Sequence, residues 1–146
     1  MLSSEPVVRV AVPADQSFLV EYDRHLRPKI SGPLIAARRI LVVEQSGVLL
    51  GGLRWGLFWD DIPFMNWLFV LEGHRKRGLG SLLMDAWEAD AASAGHEAVM
   101  TSSQADETAQ HVYRKRGYVD CGVLILPGQA AEIIFRKELN GRGQIG

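Results

Sequence analysis

The sequence predicts a mixed α+β domain with a six- to seven-stranded sheet, antiparallel through its first half and crossed over once near the middle. Three observations carry this reading. Apolar runs at Ile40–Glu44, Val48–Trp59 and Phe64–Leu71 are joined by two short turns, which makes an antiparallel meander. A basic, glycine-punctuated loop and an amphipathic helix then lead from the third run to a short strand, Ala98–Thr101. Strand, crossover helix and strand form a βαβ unit, whose two strands pair in parallel.

The elements follow in order. Val7–Ala11 is valine-rich, weakly alternating and closed by Pro13, a first strand. Phe18, Leu19, Tyr22 and Leu26 recur at helical spacing, with Asp15 or Ser17 as N-cap and Pro28 as the stop. Ser31-Gly32-Pro33 reads as a turn whose proline opens a short helix over Leu34–Arg38. Ser46-Gly47 and Asp60-Asp61-Ile62-Pro63 are the meander turns. Phe64–Leu71 lacks alternation, as a strand covered on both faces does. Leu79, Leu82, Leu83, Ala86 and Trp87 mark one face of a helix that ends near Gly95. Ala105, Ala109 and Val112 mark a further helix, stopped at Gly117. Val119–Leu126 and Ala131–Lys137 are the last strands, joined around Pro127-Gly128. Helices then cover both faces of the sheet. One domain over residues 1–139 and a frayed, glycine-rich tail over 140–146 are expected.

Composition narrows the function. The chain has 146 residues, 47% of them apolar, enough for one cored domain without staples. Sixteen basic residues against 17 acidic ones leave a net charge of −1, which argues against a nucleic-acid or anionic-membrane partner. No apolar run approaches the roughly 20 residues of a membrane span. Met1–Glu5 shows no basic-then-apolar leader, so a cytoplasmic protein is expected. The one cysteine, Cys121, builds neither disulfide nor zinc site within a monomer and reads as a buried, inert thiol. His25, His74, His96 and His111 have no metal-ligand spacing, so no metal is expected. Trp55, Phe58, Trp59, Phe64 and Trp67 read as core and sheet surface, with Phe58 and Trp59 alternatively lining an acceptor pocket.

The loop Arg75-Lys76-Arg77-Gly78-Leu79-Gly80-Ser81 lies between a buried strand and a helix start. Backbone N–H groups there have no intrahelical partner, the helix dipole adds positive character, and glycines admit close approach. That combination suits a pyrophosphate. Gly80 is followed by Ser81-Leu82 rather than Lys-Ser/Thr, so this is not a P-loop; Leu83 stands where a dinucleotide fingerprint needs its third glycine. The same residues also describe a glycine-eased turn with solvated basic side chains.

At these residues the chain resembles the GCN5-related N-acetyltransferase superfamily. Leu68-Phe69-Val70 precedes Arg75-Lys76-Arg77-Gly78-Leu79-Gly80, similar to the family's strand followed by Arg/Gln-x-x-Gly-x-Gly/Ala. Asp106 to Tyr118 (DETAQHVYRKRGY) resembles its Asn-x-x-Ala-x-x-x-Tyr-x-Lys-x-Gly-Phe segment. The strong motifs cover about residues 64 to 120, in the family's order and separation.

The resemblance implies transfer of an acetyl group from acetyl-CoA directly to a primary amine of an unidentified small molecule or peptide. It implies that Lys76–Ser81 contact the pyrophosphate through backbone amides, with Arg75 at the head of the same loop. It implies that Leu68, Phe69 and Val70 offer main-chain groups to the pantetheine arm and acetyl carbonyl, on a strand splayed from its parallel neighbour. Tyr113 would stand near the thioester sulfur as general acid or thiolate stabiliser; by itself it also reads as a helix-end aromatic of the core. The family's asparagine is Asp106 here, and a carboxylate accepts hydrogen bonds where an amide also donates.

A base is not evident. Thr101 stands twelve residues before Tyr113, where some relatives carry a glutamate, and a hydroxyl is a poor base. Asp60, Asp61 and Glu72 are the nearby carboxylates. The missing strand carboxylate supports the alternative of a non-catalytic acyl-CoA sensor. Sheet edges leave room for a homodimer.

Overall fold

The computed structural model describes residues 4–139, so the predicted tail at 140–146 lies outside the described residues. Its strands are β1 (Val7–Val10), β2 (Ile40–Gln45), β3 (Val48–Phe58), β4 (Ile62–Val70), β5 (Ala98–Gln104), β6 (Val119–Leu124) and β7 (Glu132–Glu138). They form one seven-stranded sheet in the order β1-β2-β3-β4-β5-β7-β6. The helices are α1 (Gln16–Tyr22), α2 (Pro28–Ala36), α3 (Leu79–Ser93) and α4 (Ala109–Lys115). β4 and β5 pair in parallel, Phe64 with Met100 and Met65 with Thr101. The pairs β1–β2, β2–β3, β5–β7 and β6–β7 are antiparallel. This is the mixed α+β class that the sequence predicts. No described helix is long and apolar enough to cross a membrane.

The chain divides into two compact units: residues up to 55 with 67–87, and 56–66 with residues from 88 onward. In the first, Ala11, Leu19, Leu26, Ile35, Ile40 and Val42 form a buried cluster against which Phe18, Leu34, Leu49 and Trp67 pack. The Gly51-Gly52 pair of β3 admits β4 here. A Cβ on Gly51 would stand 2.3 Å from the Phe69 carbonyl oxygen, and one on Gly52 would stand 2.7 Å from the Trp67 ring. The backbones meet where side chains are missing, and Leu71 N–H donates to Leu50 O at 2.8 Å beside them. Asp23, 1% exposed, pairs with Arg54 of β3 (Nε to Oδ2, 2.6 Å), so its charge is not buried alone.

The second unit is built on β5 and β7. Val99, Thr101 and Phe135 are fully buried, and Tyr113 meets Phe135 edge-on at 5.8 Å. Glu88 of α3 gathers three donors: the Tyr118 hydroxyl at 2.7 Å, Lys137 Nζ at 2.8 Å and Arg116 at 3.3 Å. Burial, together with the hydrogen bond to Glu88, holds the Tyr118 phenol far above its ordinary pKa.

Several local expectations are corrected. Pro28 does not stop the first helix; α1 ends at Tyr22, and Pro28 opens α2, where its fixed φ and missing N–H suit the first turn. The second helix is Pro28–Ala36 rather than Leu34–Arg38, with Pro33 inside it, and Leu26 is buried from the connecting segment. β4 is half-buried rather than covered throughout, with Asn66 exposed. Cys121 is exposed, because β6 is the sheet's last strand and all six of its residues face solvent. Trp59 is 81% exposed rather than core. It shares a hairpin turn with Asp60, both left-handed (φ +56° and +57°), closed by Asp61 N–H to Phe58 O at 3.1 Å. Such primed turns match strand twist, but a tryptophan there costs about 1–2 kcal/mol in backbone strain.

Two outcomes are expected. Gly51→Ala should lower unfolding free energy by about 1–3 kcal/mol, since the obstacle is backbone that cannot swing aside; urea denaturation measures it. Because Tyr118 keeps its proton longer folded than unfolded, its contribution is complete below about pH 10, the unfolded value, and is lost as pH rises beyond it. The urea midpoint should therefore fall from about pH 10 upward, and Tyr118→Phe should flatten that fall.

Candidate active site

α3 begins at Leu79, 2% exposed, and is anchored in the first unit by Leu83, Met84 and Trp87, each buried. Ahead of it the chain turns through left-handed residues at Lys76 (φ +64°) and Gly78 (φ +82°). Alternating left-handed and ordinary residues is the backbone pattern of concave, N–H-lined anion sites. The first helical bond of α3 is Leu82 N–H to Gly78 O at 3.0 Å. Among the described residues, no acceptor takes the backbone N–H groups of Lys76 to Ser81. Six donors in sequence are thus left to solvent or a ligand, at the positive end of a 15-residue helix. A Cβ on Gly80 would meet only Leu68 Cδ2 at 3.9 Å, so room beside the loop is ample.

The cationic side chains divide. Arg75 folds back on its own strand: its Nε donates to Val70 O at 2.7 Å and its guanidinium lies 5.8 Å from the Phe69 ring. Arg77 reaches His74 Nδ1 at 2.7 Å and Gln45 Oε1 at 2.8 Å. Both brace the loop. Lys76 is exposed and makes no ion pair among the described residues. Leu68, Phe69 and Val70 are half-buried at the end of β4, and Phe69 stacks between Tyr22 (4.9 Å) and Trp67 (5.9 Å). The first unit therefore brings Leu68–Val70 and Arg75–Ser81 together on one strand–loop–helix connection.

Tyr113 and Asp106 belong to the second unit. Tyr113, on α4, is 7% exposed. Burial raises its pKa; the neighbouring Thr101 hydroxyl pulls the other way, and Glu107 and Glu132 push it up again. Its phenol is a protonated donor at neutral pH. Thr101 Oγ1 donates to Met65 O at 3.0 Å, so this buried hydroxyl ties β5 to β4. Asp106 is exposed in a turn that Gln110 clamps, its Nε2 donating at 2.7 Å to both Ala105 O and Glu107 O. Asp60, Asp61 and Glu72 are exposed. Among the described residues no group of histidine, cysteine and carboxylates is arranged to hold a metal.

Sequence reasoning passed over Glu132. It is half-buried at the start of β7 and accepts the Ser102 hydroxyl at 2.7 Å. The one available signal was a carboxylate heading the apolar run Ile133-Ile134-Phe135 in the final strand.

Residues 36–120 match the family model described as "Acetyltransferase (GNAT) domain". No curated protein sequence matches the chain. The fold is similar to that of Ard1 from Thermoplasma volcanium, with TM-score 0.79 and 17% identity over 92% of this chain and 98% of that one. It is similar to the ribosomal-protein-S18-alanine N-acetyltransferase of Escherichia coli, with TM-score 0.76 and 14% identity over 93% and 95%. It is also similar to yncA from Salmonella typhimurium, solved with its cofactor acetyl-CoA, with TM-score 0.78 and 18% identity over 94% and 95%. Given the matched segment, which spans the strand, the donor-lined loop and the tyrosine helix, the chain belongs to the GNAT acetyltransferase family.

Proposed function

We propose that the chain is a single-domain acetyl-CoA-dependent N-acetyltransferase acting directly on a primary amine. The observation that carries this is the run of unaccepted N–H groups from Lys76 to Ser81 at the start of α3. A pyrophosphate is the ligand such a row fits: its oxygens accept and its charge favours the helix end. The same reading expects a cytoplasmic enzyme and allows a homodimer.

When bound, acetyl-CoA supplies an activated acyl thioester. The backbone amides of Lys76–Ser81 hold the pyrophosphate, with the Lys76 ammonium adding long-range attraction. The main chain of Leu68–Val70 lines the pantetheine arm, and an N–H near Phe69 polarises the acetyl carbonyl, where fixed donors act without reorganising. The amine nitrogen bonds the carbonyl carbon, the carbon–sulfur bond breaks, and the proton lost by nitrogen ends on the CoA sulfur. Tyr113 donates a hydrogen bond to the leaving thiolate. Full transfer from an ordinary phenol to a thiolate is uphill by about 2 kcal/mol, and the raised pKa of Tyr113 steepens that climb. A hydrogen bond is therefore its part. Asp106 accepts only, so it serves the turn rather than the pantetheine amides.

Calorimetry should find acetyl-CoA binding, and thiol release should follow with an amine from a broad panel. Binding without release for every amine would favour a sensor, and absence of binding would end the reading. Gly80→Pro removes one donor in a turn that tolerates proline, and should weaken acetyl-CoA binding by about tenfold or more, whereas Lys76→Ala should cost only about threefold. Tyr113→Phe should lower kcat about tenfold or more with acetyl-CoA affinity within about twofold; unchanged kcat would remove Tyr113 from the chemistry.

A further inference from the structure

The second unit holds an open groove of about 840 Å³ on the sheet. Its walls are Phe58, Trp59, Phe64, Val123, Leu124 and Ile134, from four strands and the β3–β4 turn. That volume suits an organic molecule of drug-like size, and such sites are apolar with few polar groups. Four polar side chains line it: Asn66, Ser102, Glu132 and Arg136. Arg136 is neutralised by Glu138, with Nε to Oε2 at 2.7 Å. Glu132 accepts the Ser102 hydroxyl but makes no ion pair among the described residues. The groove therefore presents one uncompensated carboxylate in apolar surroundings. The groove runs along β4 through Phe64 to Asn66, two residues before Leu68, where the acetyl-CoA arm is proposed to lie.

A second observation points the same way. Trp59 is held 81% exposed on left-handed backbone at the edge of this groove, its ring 4.7 Å from Phe58. Strain retained to present an apolar side chain to solvent is a mark of a contact surface.

We infer that the groove binds the body of the acceptor, and that this acceptor is a primary monoamine on an aromatic or bulky apolar frame, whose ammonium group is drawn in by Glu132 and releases one proton to solvent before the neutral nitrogen attacks. The inference rests on the acetyltransferase reading and deepens it. Charge complementarity selects the class. A polyamine or aminoglycoside would bring further cations and hydroxyls against walls that offer them no partners. A free amino acid would bring a carboxylate to an arginine already paired. Apolar walls of Phe, Trp, Leu, Val and Ile reward an apolar frame by burial alone.

The probe is 2-phenylethylamine, with spermidine and an alanine-initiated peptide as contrasts. In thiol-release kinetics it should exceed both contrasts in kcat/KM by tenfold or more. Without acetyl-CoA it should shift the tryptophan emission of the wild type saturably, and Trp59→Phe should remove that shift while keeping the fold. Glu132→Gln should raise the KM for 2-phenylethylamine at least tenfold with acetyl-CoA affinity unchanged, and Glu132→Asp should recover part of the loss. Preference for spermidine or the peptide, or an unaltered KM in Glu132→Gln, would overturn the inference and leave the acetyltransferase reading standing. Failure of acetyl-CoA to bind would end that reading, while the emission titration would still report on the groove. A sedimenting dimer that Ile134→Asp converts to monomer would assign the face to a second copy and overturn the inference.

Discussion

The backbone contact between Gly51 and Phe69 is the constraint on which the rest of the first unit depends. A carbonyl oxygen 2.3 Å from where a Cβ would stand excludes every residue but glycine unless backbone moves. The neighbouring glycine makes room for the Trp67 ring in the same way. β4 is thereby drawn flush against β3 at its last residues, and Leu71 N–H closes on Leu50 O immediately beyond. The loop that follows starts from a fixed point. Its arginines then brace it from within, one on the Val70 carbonyl and one on Gln45 of β2. The basic run thus serves geometry first and charge second.

That bracing gives the helix start its chemistry. An α-helix always leaves its first N–H groups without internal partners, and most proteins cap them with a side chain. Here the residues ahead of α3 are glycine and long cations, and among the described residues none returns an acceptor to these donors. Burial of Leu79, Leu83 and Trp87 secures the helix so that it tolerates an uncapped end. The desolvation cost of any bound anion is offset by donors already in position, because the backbone has been set by packing elsewhere.

The second unit solves a different problem. Thr101, Ser103 and Gln110 are polar and buried, and each finds a partner: Met65 O, Gln104 O, and the carbonyls of Ala105 and Glu107. Satisfied groups of this kind fix register without the penalty of an orphaned donor. They hold α4 and Tyr113 against Phe135, where burial keeps the phenol protonated. The sheet surface lined by Glu132 is left uncovered, and β6, last in the order, carries six exposed residues.

Strand and helix succession was legible because periodicity is a local property: alternation, runs bounded by Ser46-Gly47 or Asp60-Asp61, and the 3.6-residue stripe from Leu79 to Trp87. The parallel crossover followed, since a helix between two strands admits one pairing and one hand. The glycine-punctuated turn ahead of α3 was legible for the same reason, glycine and helix start being adjacent in the chain. Only the tertiary structure decided the rest. Pro28 as a helix start, Trp59 as an exposed turn residue and Cys121 as an exposed thiol depend on which neighbours arrive to cover them, and composition carries no record of that. The division of labour among Arg75, Lys76 and Arg77 depends on partners up to 32 positions away. Glu132 gained meaning only when folding set it beside Ser102, 30 positions earlier, on a largely apolar surface whose arginine, Arg136, pairs with Glu138. Local order is written in neighbouring residues, whereas charge balance and burial belong to groups that meet only once the chain has closed.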